Sequence, residues 1–332
     1  MDWFECVPKV ELHLHLEGAI PHAALWELVS KYGGDSSVKS FSELVEKFEY
    51  RDFPHFLDTW TWKNGFLREY EDFEFVAEAV AWRLVEQNIQ YVEAFYSPRD
   101  FAQHGLHTQL LTEAIRAGLD RVSGVEVMLV ADFVRDYGAD EALVTLRQLE
   151  EIRGLGVIGV GLGGSEHKFP PELFREAFVA ARDAGFRLTA HAGEGGGAEG
   201  VRTAIGALRV DRIGHGVRAA EDEILLDHLV DTQLPLEMCP ISNVRTGVVD
   251  SLDQHPIRAF FDRGILVTVN TDDPEMFGNS LAEEYRSLEK ELGFSRSELR
   301  KLILNGIDAS WMSPERKRRM VARFQNHPAW SA

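Results

Sequence analysis

Eight strand-like runs punctuate this chain, at 9–16, 89–96, 125–133, 157–162, 187–190, 212–214, 234–238 and 265–270. Most are separated by helical patterns, such as 110–122, 140–153, 171–184 and 220–229, in which apolar residues recur every three or four positions. Strands that alternate with helices pair in parallel through right-handed crossovers, and eight of them predict a closed (β/α)8 TIM barrel of the α/β class. The 332 residues, 45% of them hydrophobic, read as a single barrel domain over 1–332, because barrels of this kind exceed the usual domain length. The stretch from about 20 to 87 is too long for a plain crossover. It predicts a helical insertion between the first and second strands that caps one end of the barrel. Phe53, Phe56, Trp60, Trp62 and Phe66 are then available either to line a pocket or to fill ordinary core. Later in the same stretch Phe73, Val76, Ala77, Val80, Ala81 and Leu84 mark one face of a helix.

Charge narrows the partners. Lys and Arg number 35 against 54 Asp and Glu, a net charge of −19. Such a surface repels phosphate backbones and anionic membranes, so neither a nucleic acid nor a membrane is an expected partner. The basic run Arg316-Lys317-Arg318-Arg319 reads as the solvated face of a helix. Cys6 and Cys239 are too few for a disulfide framework or a four-cysteine zinc site. The N-terminal residues carry neither the basic nor the apolar region of a secretion signal, and no apolar run reaches membrane-spanning length, so the expected location is cytoplasmic. There is no coiled-coil pattern, and the oligomeric state is left open.

In a (β/α)8 barrel the chemistry sits at the C-terminal ends of the strands, and the unusual polar residues of this chain fall there. The first run is Val10-Glu11-Leu12-His13-Leu14-His15-Leu16-Glu17-Gly18, whose alternation puts Glu11, His13, His15 and Glu17 on one face. The fifth ends in His191-Ala192-Gly193-Glu194, the sixth in Gly214-His215-Gly216, the seventh in Cys239-Pro240-Ile241-Ser242-Asn243 and the eighth in Thr271-Asp272-Asp273. A lone His-x-His is as readily a pair of edge-strand histidines. Several such clusters at one end of a barrel point instead to a metal.

Catalytic zinc takes three or four nitrogen and oxygen ligands and leaves a position for water. His13, His15, His191 and Asp272 supply three imidazoles and a carboxylate from strands one, five and eight, which adjoin around a closed barrel. The expected cofactor is one Zn2+ per chain, although iron, cobalt or manganese would accept the same ligands. Glu194 is then free to shuttle a proton to a substrate ring nitrogen and later to the leaving group. His215 can take a proton from the attacking water and steady the oxyanion, and Asp273 can hydrogen-bond a heterocycle. The set describes metal-assisted attack of hydroxide on an electrophilic carbon.

These motifs resemble the adenosine/adenine deaminase family of zinc (β/α)8 hydrolases, and the resemblance covers nearly the whole chain. It runs from His-Leu-His-Leu-Glu-Gly ending at Gly18 through Tyr-Val-Glu-Ala-Phe-Tyr-Ser-Pro ending at Pro98, Gly-Leu-Gly-Gly-Ser-Glu ending at Glu166 and His-Ala-Gly-Glu ending at Glu194. Arg-Ile-Gly-His-Gly ending at Gly216 and Asn-Thr-Asp-Asp-Pro ending at Pro274 complete it. The resemblance implies zinc on His13, His15, His191 and Asp272, protonation of purine N1 by Glu194, and activation by His215 of the water that attacks C6. It further implies Asp273 at N7 and the backbone amide of Gly164 at N3.

Two positions depart from the adenosine-specific pattern. Glu17 stands where those members carry Asp, and members acting on free adenine tend to have Glu there. Gly161 stands where many relatives carry Asp, which predicts a roomier pocket. Against the free base, the stretch from Cys239 to Thr246-Gly247 resembles the version found in nucleoside-acting members. The expected substrate is therefore a 6-aminopurine nucleoside, either adenosine or a derivative enlarged at the 5′ side such as 6-aminodeoxyfutalosine, with Glu17 as a substrate-binding residue. Free adenine is the alternative, and a non-catalytic purine-binding barrel a more remote one.

Other readings fit less well. Gly159-x-Gly161-x-x-Gly164 matches a dinucleotide fingerprint only formally, since no helix opens directly after it. The deaminases of cytidine and nucleic acids need a Pro-Cys-x-x-Cys run that is missing. A two-metal hydrolase would want a bridging Lys or Glu where Gly163 and Gly164 stand.

Overall fold

The structure, a computed structural model, describes residues 2–50 and 53–331. Its strands are β1 (Lys9–His15), β2 (Ile89–Tyr96), β3 (Glu126–Val134), β4 (Val157–Gly163), β5 (Arg187–Ala192), β6 (Arg212–His215), β7 (Leu236–Met238) and β8 (Val267–Val269). Each pairs in parallel with the next, in the order β1 to β8. The ring closes through a parallel bridge between Leu14 and Asp272, where His15 N donates to Asp272 O and Asp272 N to His13 O, both at 2.9 Å. The result is the (β/α)8 barrel expected from the strand rhythm. Both faces of β1 are buried, as a barrel with an outer ring of helices requires.

The strand β8, Val267–Val269, is shorter at both ends than the 265–270 run, and the chain turns away from the extended region soon after it. Asp272 has φ of +67°, and a non-glycine residue in the left-handed region ends a regular ladder.

The insertion between β1 and β2 divides by packing. Its last helix, Tyr70–Glu86, buries the stripe Phe73, Val76, Ala77, Val80, Ala81 and Leu84. That helix lies against Thr108–Leu119, so closely that a Cβ on Gly118 would stand 2.1 Å from the Glu74 carbonyl oxygen. It is an ordinary crossover helix on the barrel flank. Helices His22–Lys31 and Phe53–Asn64 reach the segment that follows β8 instead, where His22 Nε2 lies 2.9 Å from Glu275 O, and Phe41–Glu46 packs on the first of them. Phe56 stacks on Phe277 with ring centroids 5.3 Å apart, and Tyr50 Oη lies 3.6 Å from Met276 Sδ. The side chain of Phe53 lies outside the described residues.

Below the mouth, the barrel interior holds paired charge. Arg212 forms ion pairs with Glu93 and Glu237, all three fully buried, and its guanidinium lies 3.7 Å from the Trp311 ring centroid. Glu93 Oε1 also accepts from Tyr91 Oη and Trp311 N, each at 2.7 Å. Removing one partner of such a set leaves an uncompensated buried charge, at a cost of about 3–5 kcal/mol. Among the described residues no helix is long and apolar enough to cross a membrane.

Candidate active site

The ends of β1, β5, β6 and β8 bring their imidazoles and carboxylate to one point. Ligand atoms of His13, His191, His215 and Asp272 all lie within 4.8 Å of one another. His15, expected as a ligand where this group has His215, adjoins it: its Nε2 is 3.1 Å from His191 Nε2 and 3.4 Å from Asp272 Oδ1. His13 Nε2 is also 3.4 Å from Asp272 Oδ1 and has no hydrogen-bond partner, although it is buried. An unpartnered nitrogen in a closed interior is costly unless something fills the point it faces.

The surrounding contacts orient these donors. His13 Nδ1 lies 2.9 Å from Glu237 Oε2, which directs Nε2 toward the cluster. Burial alone would raise the Glu237 carboxyl, but Arg212 and His13 outweigh it and hold Glu237 ionised. Ser242 Oγ donates to Asp272 Oδ2 at 2.6 Å and leaves Oδ1 facing His13 and His15. A carboxylate behind a ligand histidine and a hydroxyl behind a ligand carboxylate are the outer contacts that zinc sites use. Three imidazoles and a carboxylate in this arrangement fit a zinc ion.

His215, a member of this cluster, has φ of +61°, in the left-handed region that is sparsely populated by residues other than glycine. Asn243 Nδ2 donates to its Nδ1 at 3.1 Å, and His255 Nε2 lies 3.2 Å from Asn243 Oδ1. The ring proton of neutral His215 is thereby placed on Nε2, which is 3.5 Å from Glu194 Oε2. Burial pushes His215 down to about 3 and Glu194 up to about 8, the latter helped by the charge of Asp272. The neighbours are thus a neutral imidazole and a carboxylic acid. Neighbours whose surroundings separate their protonation states in this way mark a place where protons are given and hydrogen bonds to an oxyanion are made.

The remaining expected residues line the same mouth. Asp273 is buried with Oδ1 unpartnered, and burial and the adjacent Asp272 charge push its carboxyl well up. Gly18 makes room for it, since a Cβ there would fall 1.8 Å from Asp273 Oδ1. Glu17 lies in the turn after β1, where Oε1 accepts from Ser97 N at 2.9 Å and Oε2 is buried without a partner. Gly164 follows β4 with φ of +89°.

Three features lie beyond the sequence reading. The space beside Gly161 is not empty: a Cβ there would meet Asp132 Oδ1 at 2.5 Å and Phe95 at 2.8 Å, so the expected roomier pocket is filled. Asp132 is itself buried with Oδ1 unpartnered, and burial raises its carboxyl to about 8. A single acid inside the apolar run of β3 was its signal. Lys63, from the helix Phe53–Asn64, is buried with its ammonium 4.0 Å from the Trp60 ring centroid and 2.7 Å from Asn64 Oδ1. Burial lowers it to about 8 against the pull of Glu17, Asp273 and Asp100. Nothing local marks this lysine, whose placement depends on how the insertion folds back. Of the aromatics, Trp60 underlies Lys63, whereas Trp62 packs edge-on against buried Phe66 with centroids 5.1 Å apart.

With this geometry in hand, residues 8–327 match the model of the adenosine deaminase family. The chain belongs to that family. It is 38% identical over 312 residues to an adenine deaminase of Bordetella parapertussis, across 93% of this chain and 98% of the relative. The crystal structure of an adenine deaminase from Arthrobacter aurescens superposes with a TM-score of 0.91 at 33% identity, covering 96% of this chain and 98% of that one. An amidohydrolase from Burkholderia ambifaria, solved with bound zinc, superposes with a TM-score of 0.90 at 28% identity, covering 99% and 92%. Members of the family are metal-dependent hydrolases that cleave C–N bonds in cyclic amidines, and this chain is a deaminase of that class.

Proposed function

We propose that this enzyme deaminates the free base adenine to hypoxanthine and ammonia, using one zinc ion held by His13, His15, His191 and Asp272. The sequence alone favoured a nucleoside. Relatives named adenine deaminase, alignable over almost their full length, support the free base instead. So does the filled mouth, where Asp132 and Phe95 occupy the space beside Gly161 and Lys63 is buried near Glu17 and Asp273.

When bound, zinc acts as a Lewis acid that brings the ionisation of water close to neutral pH. Glu194, held as an acid, gives its proton to purine N1 and so makes C6 electrophilic. His215, held neutral with its proton on Nε2, donates to the oxygen that adds at C6 and stabilises it, while the Glu194 carboxylate left after N1 is protonated takes the proton of the attacking water. Asp273 in its acid form donates to N7, and the Gly164 amide donates to N3. Glu17 Oε2 is the unpaired acceptor left for the far edge of the base. As the C6–N6 bond breaks, a proton returns to the departing amine and ammonia leaves.

The observation that carries this reading is the pairing of a raised Glu194 with a lowered His215 across 3.5 Å beside the metal-ligand cluster. The test is ammonia release by the zinc-loaded protein from adenine, adenosine and 6-aminodeoxyfutalosine in parallel. Adenine is expected to give the highest kcat/KM. A higher value for either nucleoside would overturn the substrate assignment, and no release from any of them would overturn the reaction.

A further inference from the structure

Glu166 has no part in the chemistry above, yet its carboxylate accepts three backbone N–H groups from the loop that carries Glu194. Gly193 N donates to Oε1 at 2.7 Å, while Glu194 N and Gly196 N donate to Oε2 at 3.2 and 2.8 Å. Hydrogen bonds to an ionised acceptor are about twice as strong as neutral ones. The glycines around it are spatially required. A Cβ on Gly196 would stand 2.8 Å from Glu166 Cδ, and one on Gly200 would stand 2.4 Å from Oε1. Gly193 itself has φ of +69°, where a side chain would be strained.

A second charged side chain holds the other end of the loop. Arg135, buried just beyond β3, donates from Nη2 to His191 O at 2.7 Å and from Nη1 to Phe169 O at 2.6 Å. The backbone from His191 to Gly196 is thus fixed by one base at its carbonyl and one acid at its amides. A run of Gly-Glu-Gly-Gly-Gly at 193–197 would otherwise be the most freely rotating part of the mouth.

We propose that Glu166 is a positioning residue that holds the Glu194 backbone so that its carboxyl meets purine N1. The inference rests on the proton-donor role proposed for Glu194. Placement is worth a great deal in such a step, since an error of about 1 Å costs roughly 100-fold in rate. The carboxylate is needed because both oxygens only accept. In Glu166→Gln one of them becomes an NH2 group that cannot take the N–H bonds now made there.

The experiment compares the zinc-loaded wild type with Glu166→Gln by zinc content, by kcat and KM for whichever 6-aminopurine the wild type turns over, and by amide hydrogen exchange over 192–197. Glu166→Gln is expected to keep one zinc per chain, lose about 10- to 100-fold in kcat with KM changed less than about threefold, and exchange faster across that segment. Gly196→Ala, which puts a methyl group against the intact carboxylate, is expected to reproduce the kcat loss. In a Glu194→Gln background, Glu166→Gln is expected to cost nothing more, because the group it positions is gone. Multiplicative losses in the double variant, loss of zinc, or unchanged exchange would each overturn the proposal. A wild type that deaminates no 6-aminopurine would refute the function instead, and the exchange result would still judge whether Glu166 holds the loop.

Discussion

Glu194 and His215 show how burial, helped at Glu194 by neighbouring negative charge, can set two roles. A carboxyl pushed up to about 8 is in its acid form below that pH, and an imidazole pushed down to about 3 stays neutral across the same range. Activity on adenine should therefore fall as pH rises through about 8, when Glu194 loses the proton it must donate, with no matching loss from His215 until far into acid. A kcat/KM profile that rises through pH 8 would contradict the assignment. Glu194→Gln should retain zinc and lose about two to four orders of magnitude in kcat, as measured by ammonia release with metal analysis on the same sample. The residues at strand ends were legible because a barrel collects them at one mouth whatever the helices do. Lys63 was not, since its place depends on a folded-back helix, and Asp132 showed only as an acid in an apolar strand whose neighbour decides what it fills. Gly161 misled for the same reason: an absent side chain signals space only if nothing else enters it.

At the scale of elements, His13, proposed to hold zinc, depends on strands other than its own. Glu237 on β7 binds His13 on β1 and is held by Arg212 on β6, which also reaches Glu93 on β2. Glu237→Gln keeps the shape but removes the charge behind His13, and should weaken zinc binding by about 10- to 100-fold in a chelator competition. Unchanged affinity would separate this network from the metal. The strand rhythm and the 73–84 stripe could be read directly from periodicity. The division of the insertion into a capping part and a crossover helix could not, because both have the same apolar spacing and differ only in what they pack against. The left-handed turn at Asp272 was equally hidden, since hydrophobic pattern carries no sign of it.

For the whole molecule, the barrel mouth gathers the metal-ligand cluster, the acid–imidazole pair and the buried Lys63 of the inserted helix in one place. A net charge of −19 disfavours anionic polymers and leaves a neutral base unaffected, so added nucleic acid is expected not to inhibit the enzyme. The central claim is that a single ion in this mouth runs adenine deamination. Its most direct measurement is titration of the metal-free protein with zinc while hypoxanthine formation from adenine is followed. Activity should be absent without metal and rise linearly to a plateau at one zinc per chain. Activity without zinc, or a plateau at two, would contradict it.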